Sequence, residues 1–191
     1  PPGPRKIGSI GLPLPGQELR IVDASDAGLA EGQVGEIVVR GPTVMRGYWN
    51  NPQATAETLR GGWLHTGDLG RRDADGYYFI AGRKKEMIIR AGENIYPKEI
   101  EEALYRHPAV AEAAVVGLPH KRWGEEPAAF LVLKEGASAS EKDILAHLKD
   151  RIADYKLPRV VEFVPSLPKT ATGKIQKLRL REEYLLARGR S

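Results

Sequence analysis

Hydrophobic positions follow two rhythms along this chain. Up to about residue 83 they fall in short runs rich in β-branched residues and bounded by glycine or aspartate, such as QELRIVD near 17–23 and GEIVVRG near 35–41. Such runs predict strands. WLHTGDLG and YYFIAGR predict two more, joined across the turn signal Asp73–Gly76. One helix interrupts them over 52–59: Asn51 suits its cap, Pro52 its first position and Gly61 its end.

Beyond Gly82 the rhythm changes. GRKKE is polar, as in a linker, and MIIRAG predicts a short strand and turn. Pro97 opens a helix that places Ile100, Ala103, Leu104 and His107 on one face. AVAEAAVVGL and PAAFLVLK predict strands, the first with some helical character. Ser140 and Asp143 mark a capped helix start, and Ile144, Leu145, Leu148 and Ile152 give it an apolar stripe. Residues 160–164 predict a further strand, and the tail from Lys177 a helix. The chain therefore predicts a mostly β segment over 1–84, followed by a small α+β domain over 85–191.

Composition narrows the chemistry. The 191 residues are 41% hydrophobic and 28% charged, an ordinary globular balance. A net charge of +4 suits an anionic ligand. It is too small to argue for a nucleic acid partner, and no basic run is interleaved with aromatics. Cysteine is absent, which excludes a disulfide framework, a thiolate nucleophile and a Cys-based zinc site, and fits a reducing cytoplasm. His65, His107, His120 and His147 show no metal-binding spacing, so no protein-held metal is expected. No apolar run approaches the roughly 20 residues of a transmembrane segment. The opening PPGPRKIGSIG has neither an initiator Met nor a signal-like apolar core, and predicts a piece of something longer.

Three constellations could carry chemistry. In Pro168–Gln176, PKTATGKIQ, the residues Thr170, Thr172 and Gly173 favour a loop and place Lys174 on a mobile turn. From Lys169 to Arg181 there are five positive residues and no acidic one. A lysine there is a point charge on a flexible stem, suited to phosphate or carboxylate oxygens, although a solvated basic surface would read the same way. It is not a Walker A loop. Thr66-Gly67-Asp68 closes a strand-like run, where an acidic residue beside a glycine can accept both ribose hydroxyls or simply make a turn. Third, GRKKE precedes AGEN: the donor fork of Arg83 could reach ribose or phosphate oxygens, and Gly92 would admit a ligand close to the backbone.

The order and spacing of these segments is the more specific signal. RGYWNNPQATAETLRGGWLHTGDLGRRDADGYYFIAGRKKEMIIRAGENIYPKEIEEAL, with PKTATGKIQKLRLRE near the end, closely resembles the adenylate-forming superfamily. That superfamily comprises acyl-CoA synthetases, luciferases and peptide-synthetase adenylation domains. The resemblance covers essentially the whole chain. It implies a fold in which residues 1–84 end the β-barrel-like part of a large domain and residues 85–191 form a small C-terminal lid.

The resemblance also implies roles. Asp68 would bind the ribose hydroxyls of ATP and of the acyl-adenylate, and Arg83 would also contact the ribose. Lys85 would be the hinge about which the lid turns. Lys174 would bridge the substrate carboxylate and the α-phosphate. Gly92 would line the path of coenzyme A, and Trp123 and Lys156 would contact it, though Trp123 could equally be a packed surface aromatic. The implied substrates are a carboxylic acid, ATP with Mg2+ held by its phosphates and by upstream family residues not found here, and coenzyme A. WLHTGDLG and IIRAGENIYPKEIE look most like fatty-acid CoA ligases, with aryl or short-chain acid ligases and a non-catalytic binding module as alternatives. Acetylation of Lys174 by a lysine acetyltransferase is a further family-level expectation. The phosphate loop and acyl pocket of the family are not found here, so the chain by itself is expected not to form acyl-AMP.

Overall fold

A computed structural model describes residues 5–189, so the Pro-Pro-Gly-Pro opening lies outside the described residues. The chain forms two compact units, one ending at Lys85 and the other starting at Glu86.

The first unit contains β1 (Ser9–Gly11), β2 (Glu18–Val22), β3 (Gly35–Arg40), α1 (Pro52–Thr58), β4 (Leu59–Arg60), β5 (Trp63–Arg72) and β6 (Tyr78–Arg83). These strands make one antiparallel sheet in the order β1-β6-β5-β3-β2, with β4 also paired to β5. Ile21, Ile37 and Tyr78 centre its core. The Asn51 side chain caps α1 by accepting from Ala54 N at 3.0 Å. The helix stops at Thr58 rather than 59. Gly61 does not end it. Leu59 and Arg60 instead form a strand, and Gly61–Gly62, both at positive φ, turn it back onto β5. A tight two-residue hairpin of this kind needs that backbone. α1 buries no residue, so packing does not hold it longer.

The second unit contains β7 (Ile88–Arg90), β8 (Glu93–Ile95), α2 (Pro97–Tyr105), β9 (Val110–His120), β10 (Gly124–Leu133), α3 (Glu141–Lys149), β11 (Val160–Phe163) and α4 (Lys177–Arg188). Its sheet runs β11-β10-β7-β8, with β9 on β10; only β10–β11 is parallel. The hairpin of β9 and β10 explains the long apolar runs, because it is buried on both faces. Val110, Ala113, Val115, Ala129 and Leu131 join one core with Ile100, Leu104, Ile144 and Leu148. Their alternates, Ala114, Val116, Leu118, Ala128 and Phe130, join a second core with Leu167 and Leu180. The strand period of two thus sends successive residues to opposite faces. The α+β class read from the sequence is the class observed.

Ser140 closes a reciprocal capping box with Asp143 at the start of α3. Of the expected stripe, Ile144 and Leu148 are fully buried, Leu145 is half-buried, and Ile152 is buried beyond the helix end. His107 also lies past its helix, edge-on to His147 at 5.0 Å between ring centres.

Candidate functional site

Thr66-Gly67-Asp68 lies inside β5, not at the end of a strand, which corrects the sequence expectation. Val38 of β3 pairs with His65 and Glu36 pairs with Leu69, so Thr66, Gly67 and Asp68 stand opposite Ile37 alone. The surplus residues bulge. Bulges recur next to active sites because they re-aim a side chain. Gly67 takes φ +70 at the bulge, a left-handed conformation that suits glycine. Thr66 Oγ1 donates to Ile37 O at 2.7 Å and accepts from Asp68 N at 3.1 Å.

Asp68 is the cross-strand partner of Arg83, and Arg83 Nε lies 3.2 Å from Asp68 Oδ1. The two predicted nucleotide residues are therefore brought together by strand register. Their side chains are 35% and 45% exposed, so their own attraction adds only about 0–1 kcal/mol. The sheet, not the ion pair, sets their geometry. A half-open carboxylate can accept the two hydroxyls of a diol, and the guanidinium beside it has donors to spare.

Sequence reasoning missed Glu36. Among the described residues it is the buried charged side chain of the chain, 5% exposed. Its Oε1 accepts from Gly67 N at 3.1 Å, and its Oε2 meets Lys84 Nζ at 2.9 Å and His65 Nδ1 at 3.3 Å. Burial alone would push this carboxyl up, but Lys84, His65 and the Gly67 N–H together hold it below its ordinary value. The motif GEI gave no hint, because an alternating strand predicts a glutamate there on the solvent face.

In the second unit, Lys174 sits on a closed turn rather than a loose loop. Lys169 and Ile175 form a β-bridge, Thr170 N donates to Lys174 O at 2.8 Å, and Gly173 N to Thr170 O at 2.9 Å. Thr170 Oγ1 accepts from Lys174 N at 3.1 Å. The basic run around it is mostly paired: Lys169 with Glu112, Lys177 with Glu86 and Glu101, Arg179 with Glu183 and Arg181 with Glu125. Lys174 is exposed and forms no ion pair among the described residues. Lys177 is a second residue that sequence reasoning passed over. It is 2.8 Å from Glu101 Oε1 and 3.1 Å from Glu86 Oε2, and so anchors the start of α4 just behind the turn.

Gly92 and Trp123 come together on neighbouring hairpins. Ala91 N donates to Trp123 O at 2.8 Å, and Ala91 and Gly92 both have positive φ. The Trp123 ring is half-buried, stacks against His120, and lies under the Arg122 guanidinium at 4.5 Å. Arg90 donates to Tyr155 O at 2.7 Å, which ties this corner to the residue before Lys156. Lys156 itself holds both oxygens of Glu99 at 2.7 Å. Burial would lower its ammonium, but the Glu99 carboxylate raises it above the ordinary value. Lys85 is exposed in a single 3-10 turn over Lys84–Glu86, where the units meet in sequence. Among the described residues no three metal-ligating side chains converge.

Known families match the chain as well. The family described as AMP-binding enzyme C-terminal domain matches residues 99–174, and AMP-binding enzyme matches residues 1–49. The chain belongs to this adenylate-forming superfamily of AMP-binding enzymes. It is 50% identical to a long-chain-fatty-acid–CoA ligase of Bacillus subtilis (strain 168), covering 95% of this chain and 32% of the relative. It is also 50% identical to an indoleacetate–CoA ligase of Aromatoleum aromaticum (strain DSM 19018 / LMG 30748 / EbN1), covering 91% and 34%. ATP-bound MatB from Rhodopseudomonas palustris has 42% identity and a TM-score of 0.90, over 96% of this chain and 37% of that one. The chain spans about a third of the length of the curated relatives it matches.

Proposed function

We propose that the polypeptide carrying this chain is an ATP-dependent acid–thiol ligase, and that this chain supplies its ribose-binding pair and its adenylating lysine. A carboxylate oxygen attacks the α-phosphorus of ATP and pyrophosphate leaves, giving acyl-AMP. The coenzyme A thiol then attacks the acyl carbon, loses its proton, and AMP leaves. Mg2+ would be held by the phosphates of ATP and by residues outside this chain, and would supply charge neutralisation there.

Within that reaction Asp68 accepts the ribose hydroxyls and Arg83 donates to the ribose. The Lys174 ammonium sits against the incoming carboxylate and the α-phosphate, where two anions must meet. Preorganised charge of this kind is worth several kcal/mol, roughly, in the barrier. Lys85 is the hinge that lets the second unit serve both half-reactions, and the Gly92–Trp123 corner, with Lys156 nearby, receives coenzyme A. The supporting observation is the free ammonium of Lys174 amid a basic run whose other members are paired. A cation left unneutralised on a closed turn is available for a ligand.

Two acids compete. A medium- or long-chain fatty acid is favoured by the likeness to the B. subtilis ligase. An aryl acid is the second reading, because the indoleacetate ligase is as similar. A panel of carboxylates in pyrophosphate exchange, read on the carrying polypeptide, separates them. The reaction is assigned to the cytoplasm, consistent with a cysteine-free chain; no helix among the described residues is long and apolar enough to cross a membrane. Lys174, being exposed, is also open to acetylation, which would delete its charge. The central test is Lys174→Ala. Adenylation should collapse while thioester formation from supplied acyl-AMP persists, and equal loss of both would refute the assignment.

A further inference from the structure

Among the described residues the first unit holds one carboxylate that is buried and outside the chemistry assigned above: Glu36. Its partners are placed in a telling way. Gly67, whose N–H it accepts at 3.1 Å, is the residue before Asp68. Lys84, which it holds at 2.9 Å, is the residue after Arg83. Asp68 and Arg83 are cross-strand partners in β5 and β6, while Glu36 reaches both flanks from β3. We infer that Glu36 is a positioning residue for nucleotide recognition, clipping the two strands so that Asp68 and Arg83 are presented together to the ribose. The inference rests on the reading of Asp68 and Arg83 as the ribose-binding pair.

The physical case is one of order. A bulge frees Asp68 from the regular ladder, and an exposed ion pair is too weak to fix it afterwards. A buried carboxylate with three polar partners within 3.3 Å is not weak, because losing its cationic partner Lys84 leaves its charge in the interior. His65 closes the set from the same strand as Gly67. The Arg60 guanidinium stands farther off at 3.9 Å and is satisfied by Asp26. Glu36 thus works through its neighbours and does not face the substrate itself.

The test is a set of ATP dissociation constants measured by calorimetry on the polypeptide that carries this chain, each variant first checked for folding by its thermal melt. Glu36→Leu loses both flanks and should weaken ATP about tenfold or more. Glu36→Gln keeps an acceptor for Gly67 N–H but releases Lys84, so its loss should be intermediate. Asp68→Ala should also weaken ATP, and adding Glu36→Leu to it should cost clearly less than Glu36→Leu costs alone, only the part that passes through Arg83, since a positioning residue acts only through what it positions. A folded Glu36→Leu with unchanged affinity, or one whose loss adds in full to that of Asp68→Ala, overturns the inference and leaves the ribose pair standing. An Asp68→Ala variant that binds ATP normally overturns the underlying reading, and the inference with it. If Glu36→Leu does not fold, Lys84→Met joins Glu36→Gln: matched weakening supports the clip, and normal binding by both overturns it.

Discussion

Asp68 and Lys174 are both proposed to meet the same nucleotide, yet the protein holds them in opposite ways. Asp68 is built into a sheet, aimed by a bulge, held by its own backbone and flanked by a buried carboxylate. Lys174 projects from a hydrogen-bonded turn with its ammonium free. The difference matches the tasks proposed for them. A group that recognises the same ribose in every state is best fixed. A group that should act in one half-reaction only is best carried on a turn of a separate unit. The closed backbone of that turn confines freedom to the lysine stem.

The sharpest way to break this comparison is Lys174→Ala. Adenylation should fall by about a hundredfold to a thousandfold, with thioester formation spared, as read by pyrophosphate exchange and by acyl-AMP consumption. Asp68→Ala should act differently: because the ribose persists through both half-reactions, both should suffer, roughly tenfold each in nucleotide affinity. If Asp68→Ala damaged only adenylation, the contrast of fixed and delivered charge would collapse.

Stability gives a third comparison, through one glycine in each unit. A Cβ on Gly70 would stand 2.6 Å from Phe79 O and 2.7 Å from Ile37 Cδ1. Gly70→Ala should therefore destabilise the first unit by about 1–3 kcal/mol, through overpacking. Gly173 has φ +82 but open space around it. Gly173→Ala should cost about 1–2 kcal/mol, from backbone conformation alone, and should impair adenylation more than the melting temperature. Thermal melts beside exchange assays would show it.

The smallest effect concerns pH. The Glu36 carboxyl is depressed in the folded chain, so its contribution is present above the ordinary carboxylate range and fades as pH falls through the lower, folded value. The wild-type first unit should lose stability along that acid limb, and Glu36→Gln should flatten the limb while lowering stability at neutral pH. A steep limb unchanged in Glu36→Gln would assign it to other carboxylates of the same unit, such as Asp26, which is held low by the Arg60 guanidinium.

Much of this was written locally. The capping box at Ser140, the Asn51 cap and the helix stripe of Ile100 and Leu104 depend on neighbours three or four residues away, and were legible as such. So were the strand runs of β2, β3, β5, β6, β9 and β10. The short strands β1, β4 and β8 were not, since two or three residues carry no periodicity and form only where a partner edge is offered.

By itself, then, the sequence determined the α+β order of elements, the family-like spacing of Asp68, Arg83, Lys85 and Lys174, and a cysteine-free chain without metal-binding spacing. The tertiary structure decided which charges are available. It bulged β5 beside the Asp68–Arg83 pair, buried Glu36 against the flanking residues Gly67 and Lys84, and paired all four cations around Lys174 with acids, distant in sequence save for Glu183, one turn from Arg179. The reason is one of range. Periodicity and capping act over a few residues and can be read along the chain, whereas desolvation and charge pairing depend on what folding brings alongside.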